Sequence, residues 1–227
     1  MQTLFSEVTQ LCRSEEFLHS VIKKYHYAED EITTLRQVAE QMQQCIGAKA
    51  GWQDVVSSPF CVVGITLGAG VDTLQEGYLG RGLLTESYMI EVLSSELLLK
   101  SYEAYTEWVA EHRDVHVERL LFLGSVTGDA GLNEKLRIEN LPALLRDLEL
   151  PVTCNEAYCM IPKKSVVFYA ALTQDPNVRC AGICMGCGRK DCPNRMEEKE
   201  DFPLHFADMT DRPLPYGYSR IFSRGGV

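Results

Sequence analysis

The stretch from Gly82 to Val109 constrains the fold more than any other part of the chain, because it contains no proline and no internal glycine. Nothing in it interrupts a helix. Between Tyr88 and Leu99 apolar side chains fall nearly all the way round the helical turn instead of along one stripe. A helix without a solvent face has to be surrounded. The pattern therefore predicts one long helix through the centre of a domain, with other elements packed on several of its sides.

The flanking segments supply candidates for that packing. Leu4, Phe5, Val8, Leu11 and Cys12 follow helical spacing, and Ile32, Leu35, Val38, Ala39, Met42, Cys45 and Ile46 share one face between a possible Asp30 cap and a Gly47 stop. Phe60 to Leu67 (FCVVGITL) is a β-branched apolar run, predicting a strand covered on both faces, and Gly68-Ala69-Gly70 turns the chain back into helix. Val117 to Leu123 reads as a second strand, followed by a glycine-rich loop from Gly124 to Gly131. Asn140 is placed to cap a short helix from Leu141 to Leu148, with Pro142 tolerated in its first turn. Further strands are expected at Val152–Tyr158 and Ser165–Leu172. Helices and strands do not alternate strictly, so the expected class is α+β, with a mixed or antiparallel sheet. Three regions follow: a helical part over 1–55, an α+β part over 56–175, and a Cys-, Gly- and Pro-rich tail over 176–227.

Charge and composition exclude several functions. The formal net charge is −10 without a basic stripe, so nucleic acid is not an expected partner. The N-terminal residues lack the basic and apolar segments of a signal peptide, and no run reaches 18 apolar residues, so the expectation is a cytoplasmic protein that neither enters nor crosses a membrane. In a reducing compartment, clustered cysteines bind metal more often than they pair.

Four of the nine cysteines fall in one short loop, Cys180-x3-Cys184-x2-Cys187-x4-Cys192-Pro193. Four thiolates suffice for tetrahedral zinc or for a cubane cluster. Gly182, Gly186 and Gly188 let the backbone wrap closely, and Arg179, Arg189, Lys190 and Arg195 offset the thiolate charge. Zinc ribbons usually separate two C-x2-C knuckles by a dozen residues or more, so this compact loop favours a [4Fe–4S] cluster, with zinc as the alternative. Cys180-x3-Cys184-x2-Cys187 also matches the radical S-adenosylmethionine pattern, but in those enzymes the motif opens a barrel of alternating strands and helices, which this chain does not suggest. Cys12, Cys45, Cys61, Cys154 and Cys159 lie on apolar stretches and are expected in the core. His112 and His116 sit among charged neighbours and read as a solvated face.

Three further stretches carry a resemblance. Ile65-Thr66-Leu67-Gly68-Ala69-Gly70-Val71-Asp72-Thr73-Leu74 is a strand-to-helix opening; Met89-Ile90-Glu91-Val92-Leu93-Ser94-Ser95-Glu96 puts an acidic residue before small ones on the long helix; and Asn155-Glu156-Ala157-Tyr158-Cys159-Met160-Ile161-Pro162-Lys163-Lys164-Ser165-Val166 follows the form E-x-aromatic-x-M-x-P-x-x-S-V. In this order, and with the cysteine loop after them, they resemble the activation (reactivation) domain of cobalamin-dependent methionine synthase in its stand-alone bacterial form. Where that family has an arginine and then Pro-Gly-Tyr to help hold S-adenosylmethionine, this chain reads Phe122 to Asp129, with only Gly128 and Asp129 in common.

The resemblance implies an accessory role in reductive activation of a corrinoid (vitamin B12) protein, or of a methionine synthase lacking its own activation domain. It implies S-adenosylmethionine as methyl donor and cobalamin carried by the partner. Glu156, Tyr158, Glu91, Gly128 and Asp129 are the residues expected at the cofactor; no catalytic residue and no electron donor is assigned. In the alternative reading the chain is a non-catalytic corrinoid-protein chaperone or adaptor with a structural zinc.

Overall fold

The computed structural model describes residues 7–178 and residue 180. The long helix is present as α4 below, and its ends shift a little from the expected ones. Gly82, at φ +77°, closes a turn that donates its N–H to the Leu79 carbonyl, so the helix starts at Leu84; it runs on to His112.

In chain order the elements are α1 (Glu15–Lys24), α2 (Ile32–Cys45), β1 (Lys49–Asp54), β2 (Phe60–Thr66), α3 (Ala69–Gly80), α4 (Leu84–His112), β3 (His116–Phe122), α5 (Ala130–Lys135), α6 (Leu141–Asp147), β4 (Thr153–Cys154), β5 (Met160–Ile161) and β6 (Ser165–Thr173). β1, β2, β6 and β3 form, in that order, a four-stranded sheet whose neighbours are all antiparallel; β4 and β5 make a separate two-stranded hairpin. The class is α+β with an antiparallel sheet and a long central helix.

Alternation along the strands explains why both faces of the sheet are covered. Cys61, Val63 and Ile65 on β2, Phe168, Ala170 and Leu172 on β6, and Val117 and Leu120 on β3 meet Tyr102, Tyr105 and Val109 of α4. Val62, Val167, Tyr169 and Leu121 point the other way, onto Leu132 and Leu136 around α5 and Leu141, Leu145 and Leu148 around α6. The first half of α4 leaves the sheet. There Met89, Ile90, Val92, Leu93 and Leu97 are enclosed by Phe17, Leu18, Val21 and Ile22 of α1, Leu35, Val38, Ala39 and Met42 of α2, and Val71 of α3. One helix thus serves a helical bundle along its first half and a sheet along its second, which is why it is apolar all round.

β1 is a strand the sequence pattern does not signal. Its residues, KAGWQD, are mostly polar or small, and it is held by register: Gly51 lies opposite Gly64 of β2. The glycine pair makes room for the end of α6. A Cβ on Gly51 would stand 2.5 Å from the Leu148 carbonyl oxygen, and one on Gly64 would overlap the Leu150 side chain.

Other expectations need correcting. Val152–Tyr158 is not a continuous strand: only Thr153 and Cys154 pair, and the chain then turns because Asn155 Oδ1 accepts hydrogen bonds from the N–H groups of Ala157 and Cys159, with Tyr158 at φ +59°. That turn leaves Cys159 exposed, and Cys45 and Cys154 are half-buried; Cys12 and Cys61 are the two of the five that are fully buried. Asp30 sits within a short 3-10 turn, Glu29–Glu31, where the Glu31 carboxylate accepts from the Ala28 N–H. Asn140 does not cap α6 with its side chain, which donates instead to the carbonyls of Glu134 and Lys135. Among the described residues, no helix is long and apolar enough to cross a membrane.

Candidate functional site

The three stretches singled out in the sequence come together where β2 ends, β6 begins and α3 and α4 lie side by side. The backbone makes the first connection: Leu67 N–H donates to the Lys164 carbonyl at 2.9 Å, extending the β2–β6 ladder by one bond. Beside it, the buried hydroxyls of Thr66 and Ser165 lie 2.8 Å apart, and Thr66 Oγ1 also accepts from Gly68 N–H at 3.1 Å.

Charged groups make the second connection. Asp72, in the first turn of α3, accepts from the Lys163 backbone N–H at 2.8 Å. The Lys164 side chain crosses to α4, where its ammonium donates to Glu91 Oε1 and, at 2.9 Å, to Ser95 Oγ. The other oxygen of Glu91 accepts from Gln75 Nε2 of α3 at 3.1 Å. Glu91 and Ser95 are one helical turn apart on the same side of α4, so one ammonium reaches both. Burial pushes the Glu91 carboxyl up, but the Lys164 ammonium and the Gln75 amide outweigh it and hold the group below the ordinary glutamate range. The Lys164 side chain is 12% exposed and that of Glu91 42%, so the pair opens to solvent on its acidic side. Leu84 and Tyr88, both exposed, precede Glu91 on that face of α4.

The glycine turn above this cluster is explained by packing. Gly68, at φ +86°, has a conformation other residues rarely take, and a Cβ there would be 2.9 Å from the Gly47 carbonyl oxygen. A Cβ on Gly70 would overlap the Cys45 carbonyl oxygen. Backbone carbonyls thus occupy the space next to this helix start, and the glycines let α2 and α3 meet at their ends.

The other expected cofactor residues lie elsewhere. Asp129 caps α5: its Oδ1 accepts from Leu132 N–H at 3.1 Å, while Thr127 and Asn133 hydrogen-bond across the loop beside Gly128. Tyr158 packs, half-buried, against the core under α6, and Glu156 is exposed at the tip of the β4–β5 turn. The structure therefore joins Glu91 to residues not expected at the cofactor, namely Asp72, Gln75, Ser95 and Lys164. Asp72, Ser95 and Lys164 lie within the quoted stretches and Gln75 one residue beyond, but only the strand register shows which ones face each other.

Of the four metal-ligand candidates, Cys180 is half-buried against the core between the sheet and α4. Cys184, Cys187 and Cys192 lie outside the described residues. Among the described residues there is no grouping of three or more His, Cys, Asp or Glu side chains suited to a metal ion, and His112 and His116 are separated, ending α4 and opening β3.

No known protein-family model matches this chain, and no curated protein matches it significantly.

Proposed function

We propose that the chain assists reductive activation of a corrinoid protein, or of a methionine synthase lacking its own activation domain, by returning an inactive cobalt(II) corrinoid to its methylated form. The observation that carries this reading is the meeting of the three activation-domain-like stretches at the Glu91–Lys164 cluster, although the residues in contact lie up to 99 positions apart along the chain. Independent packing needs would not require all three to share one partly exposed polar cluster beside the exposed apolar Leu84 and Tyr88. In this reading that surface faces the partner's corrinoid domain, and Glu91 is the carboxylate at the ligand-facing side. Cys180, Cys184, Cys187 and Cys192 would hold a [4Fe–4S] cluster, which when bound supplies one-electron chemistry. S-adenosylmethionine is the proposed methyl source, with Glu156, Tyr158, Gly128 and Asp129 as further candidates for contact with it.

Three measurements test the proposal. Protein purified without oxygen is expected to contain iron and acid-labile sulfide, and zinc with neither would replace the electron-relay role by that of an adaptor. Added to a corrinoid protein under reducing conditions, the chain is expected to shorten the lifetime of the cobalt(II) absorbance, more so with S-adenosylmethionine. An unchanged lifetime across corrinoid partners would overturn the activation role. Equilibrium dialysis with S-adenosylmethionine, wild type against Glu91→Gln, separates the methyl-donor assignment from the rest.

A further inference from the structure

The sheet has two edges, and they are protected unequally. On β3 the ladder with β6 slips between Val117 and Arg119, and the intervening Glu118 forms an ion pair with Arg119. A bulge and charges are the usual means of keeping a foreign strand off an edge. β1 has no bulge, and its charges stand only at its ends: it contains no proline, pairs with β2 without a slip, and carries its single lysine, Lys49, at its first position. Its acidic residue, Asp54, is neutralised by Arg113 at 2.9 Å. Among the described residues, no strand pairs with the outer side of β1.

Register shows which groups face outward. Val55 N–H donates to the Phe60 carbonyl at 2.9 Å, so in the alternating antiparallel pattern the odd-numbered residues direct their backbone toward β2. Ala50, Trp52 and Asp54 therefore turn their N–H and C=O groups outward. Apolar side chains are exposed on the same edge: Trp52 lies against Trp108 (ring centroids 5.3 Å apart) yet stays 41% exposed, and Val56, just past the strand, is 90% exposed.

We infer that β1 is a self-pairing edge, through which two copies of this chain associate by antiparallel β1–β1 pairing about a dyad at Trp52. In that register Trp52 meets Trp52 of the partner subunit, Ala50 meets Asp54 of the partner subunit, and Ala48 covers Val56 of the partner subunit. Each outward residue of the strand then donates one N–H and accepts one, so the edge is satisfied by its own copy. A dyad at Gly51 would instead pair Asp54 with residue 48, outside the strand. A second copy also brings an edge of matching neutrality, since Asp54 is paired internally on both. The interface is small, so association depends on concentration. Each copy carries a net charge of −10, so added salt strengthens association by screening the mutual repulsion.

Sedimentation velocity on the full chain over a range of concentrations, at low and moderate salt, tests this alongside amide hydrogen exchange. The expected result is a mass rising from one chain toward two, sooner at higher salt, with protection of the Ala50, Trp52 and Asp54 amides rising in step. Trp52→Lys is expected to keep the protein monomeric. Val56→Asp changes a side chain with almost no packing in the monomer and is expected to weaken association several-fold without altering the thermal midpoint. A one-chain mass throughout overturns the inference. So does amide protection that ignores concentration, which would mean another part of the same chain covers the edge, and so does association that neither variant affects.

Discussion

Lys164 is where the electrostatics of the site are decided. Its ammonium is nearly buried and depends on one carboxylate and one hydroxyl. Glu91→Gln removes the charge that compensates it and should cost about 1–3 kcal/mol in denaturant unfolding. Adding Lys164→Gln should return part of that loss, because the pair is coupled and the unpaired charge is then gone. The pH dependence has a definite sign. The folded Glu91 carboxyl titrates below its unfolded counterpart, so as pH falls the unfolded state takes up the proton first, and the stabilising contribution is lost. Wild type should therefore be more stable than Glu91→Gln at neutral pH, and the difference should shrink as pH drops below the ordinary glutamate range. Thiols offer a second test at this scale. Burial pushes Cys12 and Cys61 up to about 12, whereas Cys159 is exposed in the β4–β5 turn. With iodoacetamide at mildly alkaline pH, Cys159 should be alkylated in the native protein, and Cys12 and Cys61 only on unfolding. In the sequence all three sit on similar apolar stretches. What separates them is a turn created by the Asn155 side chain.

Among the elements, α3 makes the clearest comparison, since two of its glycines have opposite surroundings. Gly70 faces the Cys45 carbonyl, backbone that cannot move aside without displacing the end of α2, whereas Gly77 has nothing within 4 Å of an added Cβ. Gly70→Ala is expected to lower stability by about 1–3 kcal/mol through overpacking. Gly77→Ala is expected to raise it by about 0.5–1 kcal/mol by restricting the unfolded chain and favouring helix. Thermal unfolding of the two variants checks both signs. The elements differ in how legible they are for related reasons. α2, α4, β2 and β6 bury enough of their own surface for hydrophobic periodicity to mark them. β1 is defined by hydrogen bonds to β2 and by a glycine pair under Leu148, neither of which leaves an apolar pattern.

For the molecule as a whole, α4 is the mechanical link. The bundle core and the sheet core share it, so neither can lose α4 without exposing the other. Leu35→Ala, a cavity in the bundle, is expected to cost about 2–5 kcal/mol. Both tryptophans, Trp52 and Trp108, lie at the sheet end of the molecule and report from there. If the molecule unfolds as one unit, tryptophan fluorescence and far-UV circular dichroism should keep coincident transitions in this variant. Separate transitions would show two independent units. From its residues alone the chain specified a surrounded central helix and an α+β class, because glycine and proline content and hydrophobic period are local properties. Tertiary structure decided that Asp72, Gln75, Glu91, Ser95 and Lys164 form one cluster, that Asp129 serves as a helix cap, and that β1 is an edge of the sheet among the described residues. Each of those depends on which strand lies beside which and in what register, and long-range pairing is written in no single segment.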